Sequence, residues 1–210
     1  MTVKISTGNS KLGKISSVSL PAGLTCRNDC ECHSKCYAKK LERLRPAVRN
    51  AYSHNLEILK TSPDTYWREV EAAIMMSRFF RFHVSGDIPD YDYFLKMVDI
   101  AKRNSHCQIL CFTKKYEIIN RYITERCQEV FEGIPSCIIP KNLHIIFSVW
   151  KNLDCNNIYH LPEAHVRYRD KTTTAKPEAK ECGGNCSECA LTDDGCWNLS
   201  FGEQVIFNEH

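Results

Sequence analysis

No stretch of this 210-residue sequence approaches the roughly twenty consecutive apolar residues that cross a bilayer. Residues 1–10 hold no apolar core and no small-residue cleavage site, so no secretory leader is expected there. A cytoplasmic location and no membrane partner follow as expectations. A large excess of charge of either sign is also lacking. A formal net charge of +3 neither demands nor excludes a nucleic-acid partner. There is no internal repeat and no low-complexity tract. An apolar fraction of 43% is enough for an ordinary core.

Cysteine, by contrast, is abundant. The chain has 13 cysteines and is too long for a mini-protein stapled by disulfides. The odd total argues against complete internal pairing. In a reducing compartment, clustered thiols read as metal ligands or redox groups. Eight of them form two groups, Cys26/Cys30/Cys32/Cys36 and Cys182/Cys186/Cys189/Cys196. Structural zinc sites favour two Cys-x2–4-Cys pairs separated by a longer spacer. Only Cys186 and Cys189 have the Cys-x2-Cys spacing here. Compact runs at small mixed spacings resemble cluster ligation more closely. The expectation is therefore iron–sulfur clusters, 4Fe-4S in type. Zinc is the alternative, and metal-free redox thiols the third reading. Each group ends in Cys-aromatic, Cys36-Tyr37 and Cys196-Trp197, so a ring is expected to shield the last ligand. His33 is a candidate second-shell or replacement ligand. Cys107, Cys111, Cys127, Cys137 and Cys155 stand alone, and Cys111 reads as a small buried hydrophobe.

Along the chain, a short strand is expected at Ile15–Leu20, and helices from Pro46 and from Pro63, since proline suits a first helical turn. Strand and helix then alternate: strand Arg78–Ser85, helix Tyr91–Arg103, strand Gln108–Thr113, helix Tyr116–Gln128, strand His144–Trp150. Such alternation predicts an α/β fold, either a partial (β/α) barrel or an open parallel sheet. Residues 1–154 read as this α/β domain carrying the N-terminal thiol group. Residues 155–210 read as an irregular cysteine-rich C-terminal segment packed on it, with a closing strand at Phe201–Phe207.

The strand at 80–87 alternates. Phe80, Phe82 and Val84 are expected on one face and Arg81, His83, Ser85 and Asp87 on the other. A central strand of an α/β fold is normally apolar on both faces. A polar face running off the C-terminal end therefore points to a site, because sites in such folds lie there. The next strands end in Thr113-Lys114-Lys115 and carry Ser148. The expected pocket has His83, Asp87 and Lys114 as catalytic candidates, the first two for proton transfer. Arg81, Ser85, Thr113, Ser148 and Lys11 are candidates for substrate binding, with Arg81 or Lys114 holding an anionic group. The competing expectation is a structural network, with Asp87 capping a loop and His83 satisfied inside. Thr7–Gly13 lacks the full phosphate-loop pattern and reads as a plain loop rather than an anion cradle.

Two basic stretches remain. Lys35, Lys39, Lys40, Arg43, Arg45 and Arg49 are accompanied only by Glu42. Arg167, Arg169, Lys171, Lys176 and Lys180 form the other. They read as solvated faces, or as contacts to an anionic ligand or nucleic-acid strand.

Several segments together resemble the phage "gene product 88" family. They are Thr7-Gly8-Asn9-Ser10-Lys11-Leu12-Gly13, Ser19-Leu20-Pro21-Ala22-Gly23-Leu24-Thr25-Cys26, Cys36-Tyr37-Ala38, His83-Val84-Ser85-Gly86-Asp87 and the Cys-rich end at Cys196-Trp197. The resemblance implies a phage-derived protein working in the bacterial host cytoplasm. A weaker likeness, to radical S-adenosylmethionine enzymes, implies a partial (β/α) barrel and S-adenosylmethionine beside a cluster. Those enzymes use Cys-x3-Cys-x2-Cys. The first group here is spaced x3, x1, x3, whereas Cys182, Cys186 and Cys189 match x3, x2. Three functional readings follow. One is an iron–sulfur enzyme doing redox or radical chemistry on a small anionic molecule or nucleotide. The second is a zinc-stabilised nucleic-acid-binding module. The third is a noncatalytic host-interaction protein.

Overall fold

The computed structural model describes residues 2–129, 138–192 and 195–209. Cys137 lies outside the described residues. Seven strands form one sheet: β1 Ser16–Val18, β2 Phe79–Phe82, β3 Gln108–Thr113, β4 Leu143–Val149, β5 Glu163–Arg167, β6 Lys180–Glu181 and β7 Gln204–Asn208. Their spatial order is β1-β2-β3-β4-β5-β7-β6, and every pairing is parallel. This is the expected α/β fold with a parallel sheet, and residues 155–210 contribute three of its strands.

Among the described residues six α-helices accompany the sheet: α1 Tyr37–Leu44, α2 Pro46–Thr61, α3 Pro63–Met75, α4 Tyr91–Arg103, α5 Tyr116–Glu129 and α6 Cys186–Leu191. Pro46 and Pro63 sit in the first turns of α2 and α3, where the missing N–H would have no helical partner anyway. Asp90 caps α4 by accepting from Tyr93 N at 2.8 Å, and Lys102 and Arg103 fill its last turn. No helix among the described residues is long and apolar enough to cross a membrane.

From β1 to β5 the strands follow one another across the sheet. Right-handed crossovers taken repeatedly in one direction put their helices on one face. The main core lies on that face, where Phe80, Phe82, Ile109, Cys111, Ile145 and Phe147 meet the helices. The step from β6 back to β7 runs the opposite way, so the same handedness carries the connection over the other face. Residues 182–203 make that connection. They cover a second core of Leu110, Ile146, Ala164 and Val205, against which Cys182, Cys186, Cys189 and Cys196 pack. The second thiol group is therefore seated on the sheet face opposite the main helices.

Candidate functional site

The side chains singled out on the strand ends meet around one cavity of about 200 Å³. Lys11, Arg81, His83, Ser85, Asp87, Lys114 and Ser148 all line it. Thr113 stands behind Asp87 and bonds to it. The cavity also takes in Cys26, Cys32 and Cys36 of the first thiol group.

Asp87 holds the strand ends together. Its Oδ1 accepts from Thr113 Oγ1 at 2.6 Å and from Ile88 N at 2.8 Å, while Oδ2 accepts from Lys114 N at 2.9 Å. Its own N–H donates to Thr25 Oγ1 at 3.0 Å. Burial pushes its pKa up against the pull of Lys114 and these donors. Ser85 Oγ donates to Glu42 Oε1 at 2.7 Å, and the same oxygen accepts from Ala22 N at 2.9 Å. Ser85 and Glu42 thereby fasten α1 and the Pro21–Ala22 turn to the end of β2. The Ser148 carbonyl accepts from the Tyr116 hydroxyl.

His83 departs from the expected alternation. β2 ends at Phe82, and His83 takes a left-handed backbone with φ 58°. Its ring lies against Phe82 at 5.8 Å and Tyr93 at 5.4 Å, in the aromatic group that also contains Tyr66 and Trp67. Neither ring nitrogen has a hydrogen-bond partner among the described residues. Burial first, and Arg81 second, pull its pKa down to about 3. It is a neutral imidazole at any physiological pH.

The two thiol groups lie on either side of the polar strand end. In the first, Gly23 N donates to Cys26 Sγ at 3.4 Å. Cys30 is buried, at 4% exposure, in the main core and does not line the cavity. A hydrogen bond from Cys32 brings the Cys30 pKa down to about 7 and pushes that of Cys32 up. Lys114 is held among Cys32, Asp87, Cys30 and Cys26. Burial would lower its pKa, but the acidic groups around it leave it above the ordinary value. Its ammonium also lies 5.8 Å from the Trp150 ring centroid.

In the second group all four cysteines line one small gap with Arg81, Phe112 and Trp197. Arg81 Nη1 donates to Cys186 Sγ at 3.7 Å, its guanidinium lies 4.7 Å from the Phe112 ring, and its buried Nε has no partner. Trp197, 3% exposed, closes the gap against Phe79 at 5.1 Å, and its Nε1 donates to Cys186 O at 3.1 Å. Trp197 is thus buried beside the second thiol group. Tyr37 beside Cys36 is 43% exposed instead, with its hydroxyl donating to Val84 O. Gly195, at φ 79°, is required where it is: a Cβ there would sit 2.9 Å from Cys189 Cβ. The Lys11 carbonyl accepts from Cys186 N at 2.8 Å. Asn9 Oδ1 takes the N–H groups of Lys11 and Leu12, and Asn9 O takes that of Gly13. With the N–H groups of Lys11, Leu12 and Gly13 occupied, the Thr7–Gly13 stretch meets the start of α6 through the Lys11 carbonyl.

Four thiols with backbone and guanidinium donors are a fitting ligand set for a thiophilic metal group. No three His, Cys, Asp or Glu side chains among the described residues converge on a single-ion site as they stand. All the described cysteines are free.

The model of the family described as Gene product 88 matches residues 2–195. This chain belongs to that family. A relative named Gene 88 protein, from Mycobacterium phage L5, is 26% identical over 227 aligned residues, covering 92% of this chain and 89% of the relative. The Gene 88 protein of Mycobacterium phage D29 is 29% identical over 121 residues, which cover 51% of this chain and 50% of that one. No solved structure matches the chain. In this Gene product 88 chain, sequence reasoning missed the cavity's remaining walls, Trp150, His165 and Phe207. It also missed the role of Glu42. That residue did carry a signal, since a lone acid in a basic helix, here 8% exposed, has reason to be paired inside.

Proposed function

We propose that this Gene product 88 protein is an iron–sulfur protein acting in the host cytoplasm, with a pocket for redox or radical chemistry on a small anionic molecule or nucleotide. One observation carries the reading. Cys26, Cys32 and Cys36 line the same cavity as Arg81, Lys114 and Ser148, while Cys30 is turned into the core. Those three thiols would hold the cluster, which would supply one-electron chemistry at the pocket wall. Lys114 offsets the charge of the thiolates. Lys114 and Arg81 give the pocket two cations for an anionic group. S-adenosylmethionine, with its carboxylate, is the cosubstrate of the radical version. The second group, Cys182, Cys186, Cys189 and Cys196, would hold a further cluster under Arg81, and Trp197 excludes water from it.

Anaerobic purification of the full chain tests this. The expected product is brown, with several iron and sulfide per chain, and Cys36→Ser lowers the iron content without removing all of it. A colourless protein holding stoichiometric zinc refutes the reading. If adding S-adenosylmethionine leaves the electron paramagnetic resonance spectrum of the reduced protein unchanged, the radical version is refuted.

A further inference from the structure

The two basic stretches are far apart in sequence, yet parts of both reach one groove. It has a volume of about 1060 Å³ and runs along the mouth of the site cavity. Lys39, Lys40 and Arg43 come from α1, Lys151 from the loop after β4, and Arg169 from the loop after β5. Lys35, Cys36, Tyr37 and Glu209 line both groove and cavity, so the two are continuous. The groove's carboxylates are largely occupied. Glu31 and Glu209 pair with Lys35 at 2.5 and 3.4 Å, and Asp170 accepts from Thr172. Lys40, Arg43, Lys151 and Arg169 are exposed and form no ion pair among the described residues. Aromatic faces accompany them. Tyr37 and Tyr168 line the groove, and Trp150, 6.2 Å from Tyr168, lines the cavity.

We infer that the groove binds single-stranded nucleic acid and delivers one nucleotide of the strand into the cavity. This rests on reading the cavity as the reaction site, and it narrows the anionic ligand to a nucleotide within a chain. Cations spaced along a groove follow a phosphate backbone, and aromatic side chains stack unpaired bases. A duplex keeps its bases stacked inside and would have to give one up to reach a cavity of about 200 Å³. An acidic polypeptide would use the cations and leave the rings and the cavity idle.

Fluorescence anisotropy on the full, metal-loaded chain decides. The probes are a labelled oligothymidylate, the same-length oligouridylate, a duplex of equal length and polyglutamate. Neutralising four phosphates of a single strand gives a log–log salt slope of about −3, roughly a 50-fold loss of affinity between about 50 and 200 mM salt. Charge reversal of two exposed residues, Arg43→Glu with Arg169→Glu, should cut that loss to about seven-fold by removing two contacts. The milder Arg43→Gln with Arg169→Gln removes the same two contacts and should likewise leave about a seven-fold loss, and the unchanged iron content and circular dichroism of both variants show that folding is intact. Polyglutamate or duplex binding as tightly as either single strand overturns the inference. So does a charge-reversed variant that binds like the parent. Iron without strand binding refutes this inference alone, whereas strand binding by an iron-free protein refutes the cluster reading alone.

Discussion

Replacing Asp87 by Asn separates a structural anchor from a free proton carrier. The carboxylate is 4% exposed and accepts three hydrogen bonds, from Thr113 Oγ1, Ile88 N and Lys114 N. Asparagine offers one acceptor oxygen and one NH2 group. If its oxygen keeps Thr113 and Ile88, the NH2 faces the Lys114 N–H, donor against donor. If the amide flips, the Ile88 N–H is orphaned instead. One buried backbone donor is lost either way, at about 1–3 kcal/mol. The remaining bonds lose their ionic strengthening, while the cost of burying a charge is relieved. The net expectation is a loss of about 2 kcal/mol for Asp87→Asn, and about 4 kcal/mol for Asp87→Ala, which orphans both backbone donors. Urea denaturation followed by circular dichroism reads this directly. At a slope of about 2 kcal/mol per molar, the Asn variant's midpoint falls by about 1 M. Thr113→Val in the same background measures the coupling across the 2.6 Å bond. If Asp87→Asn kept its stability to within about 0.5 kcal/mol, a spread typical of neutral substitutions, the anchoring role would be refuted.

Trp197→Ala should free residues 182–199 from the sheet face. A buried Trp-to-Ala change costs about 3–5 kcal/mol, so faster cleavage in that segment under limited proteolysis is expected, and an unchanged cleavage pattern would contradict the packing described. Glu163 is held down to about 2 by the hydrogen bond from His165 first, with Asn157 and Gln204 adding to it, against 4.5 unfolded. A depressed carboxyl stabilises above its unfolded value and loses that contribution as pH falls from about 4.5 towards 2. Allowing for its partly solvent-facing position, the contribution is about 2 kcal/mol. Glu163→Gln should be less stable at neutral pH and flatter across that acid window in pH-dependent urea melts; parallel curves for the two proteins would count against it.

Much of the frame was legible because local chemistry and tertiary position agreed. Tyr91–Arg103 has its Asp90 cap, its apolar stripe and basic residues in the last turn, and it forms over that span. Gln108–Thr113 is a short apolar run and becomes a central strand. Other parts carried no local signal. β5, Glu-Ala-His-Val-Arg, is too polar to read as a strand. It forms because Ala164 finds partners on β4 and β7, and Val166 on β7. β6 is two residues long and exists only through its pairing with β7. β2 stops at Phe82 because His83 turns left-handed, and no Gly or Asn announces it. At the site, the residue types on the strand ends were visible. The cavity's far walls were not, since they come from strands whose register only the folded sheet sets.

The reversal at the end of the sheet also orders events in time. β6 has no neighbour until β7 exists, because β7 lies between it and β5. The first thiol group sits next to β1, β2 and β3, all made by residue 113. The second is seated only when residues 204–208 have threaded between two strands already synthesised. During synthesis the strands flanking the first thiol group are therefore complete while the second group is still open at both ends. The two thiol groups would be assembled one after the other rather than together.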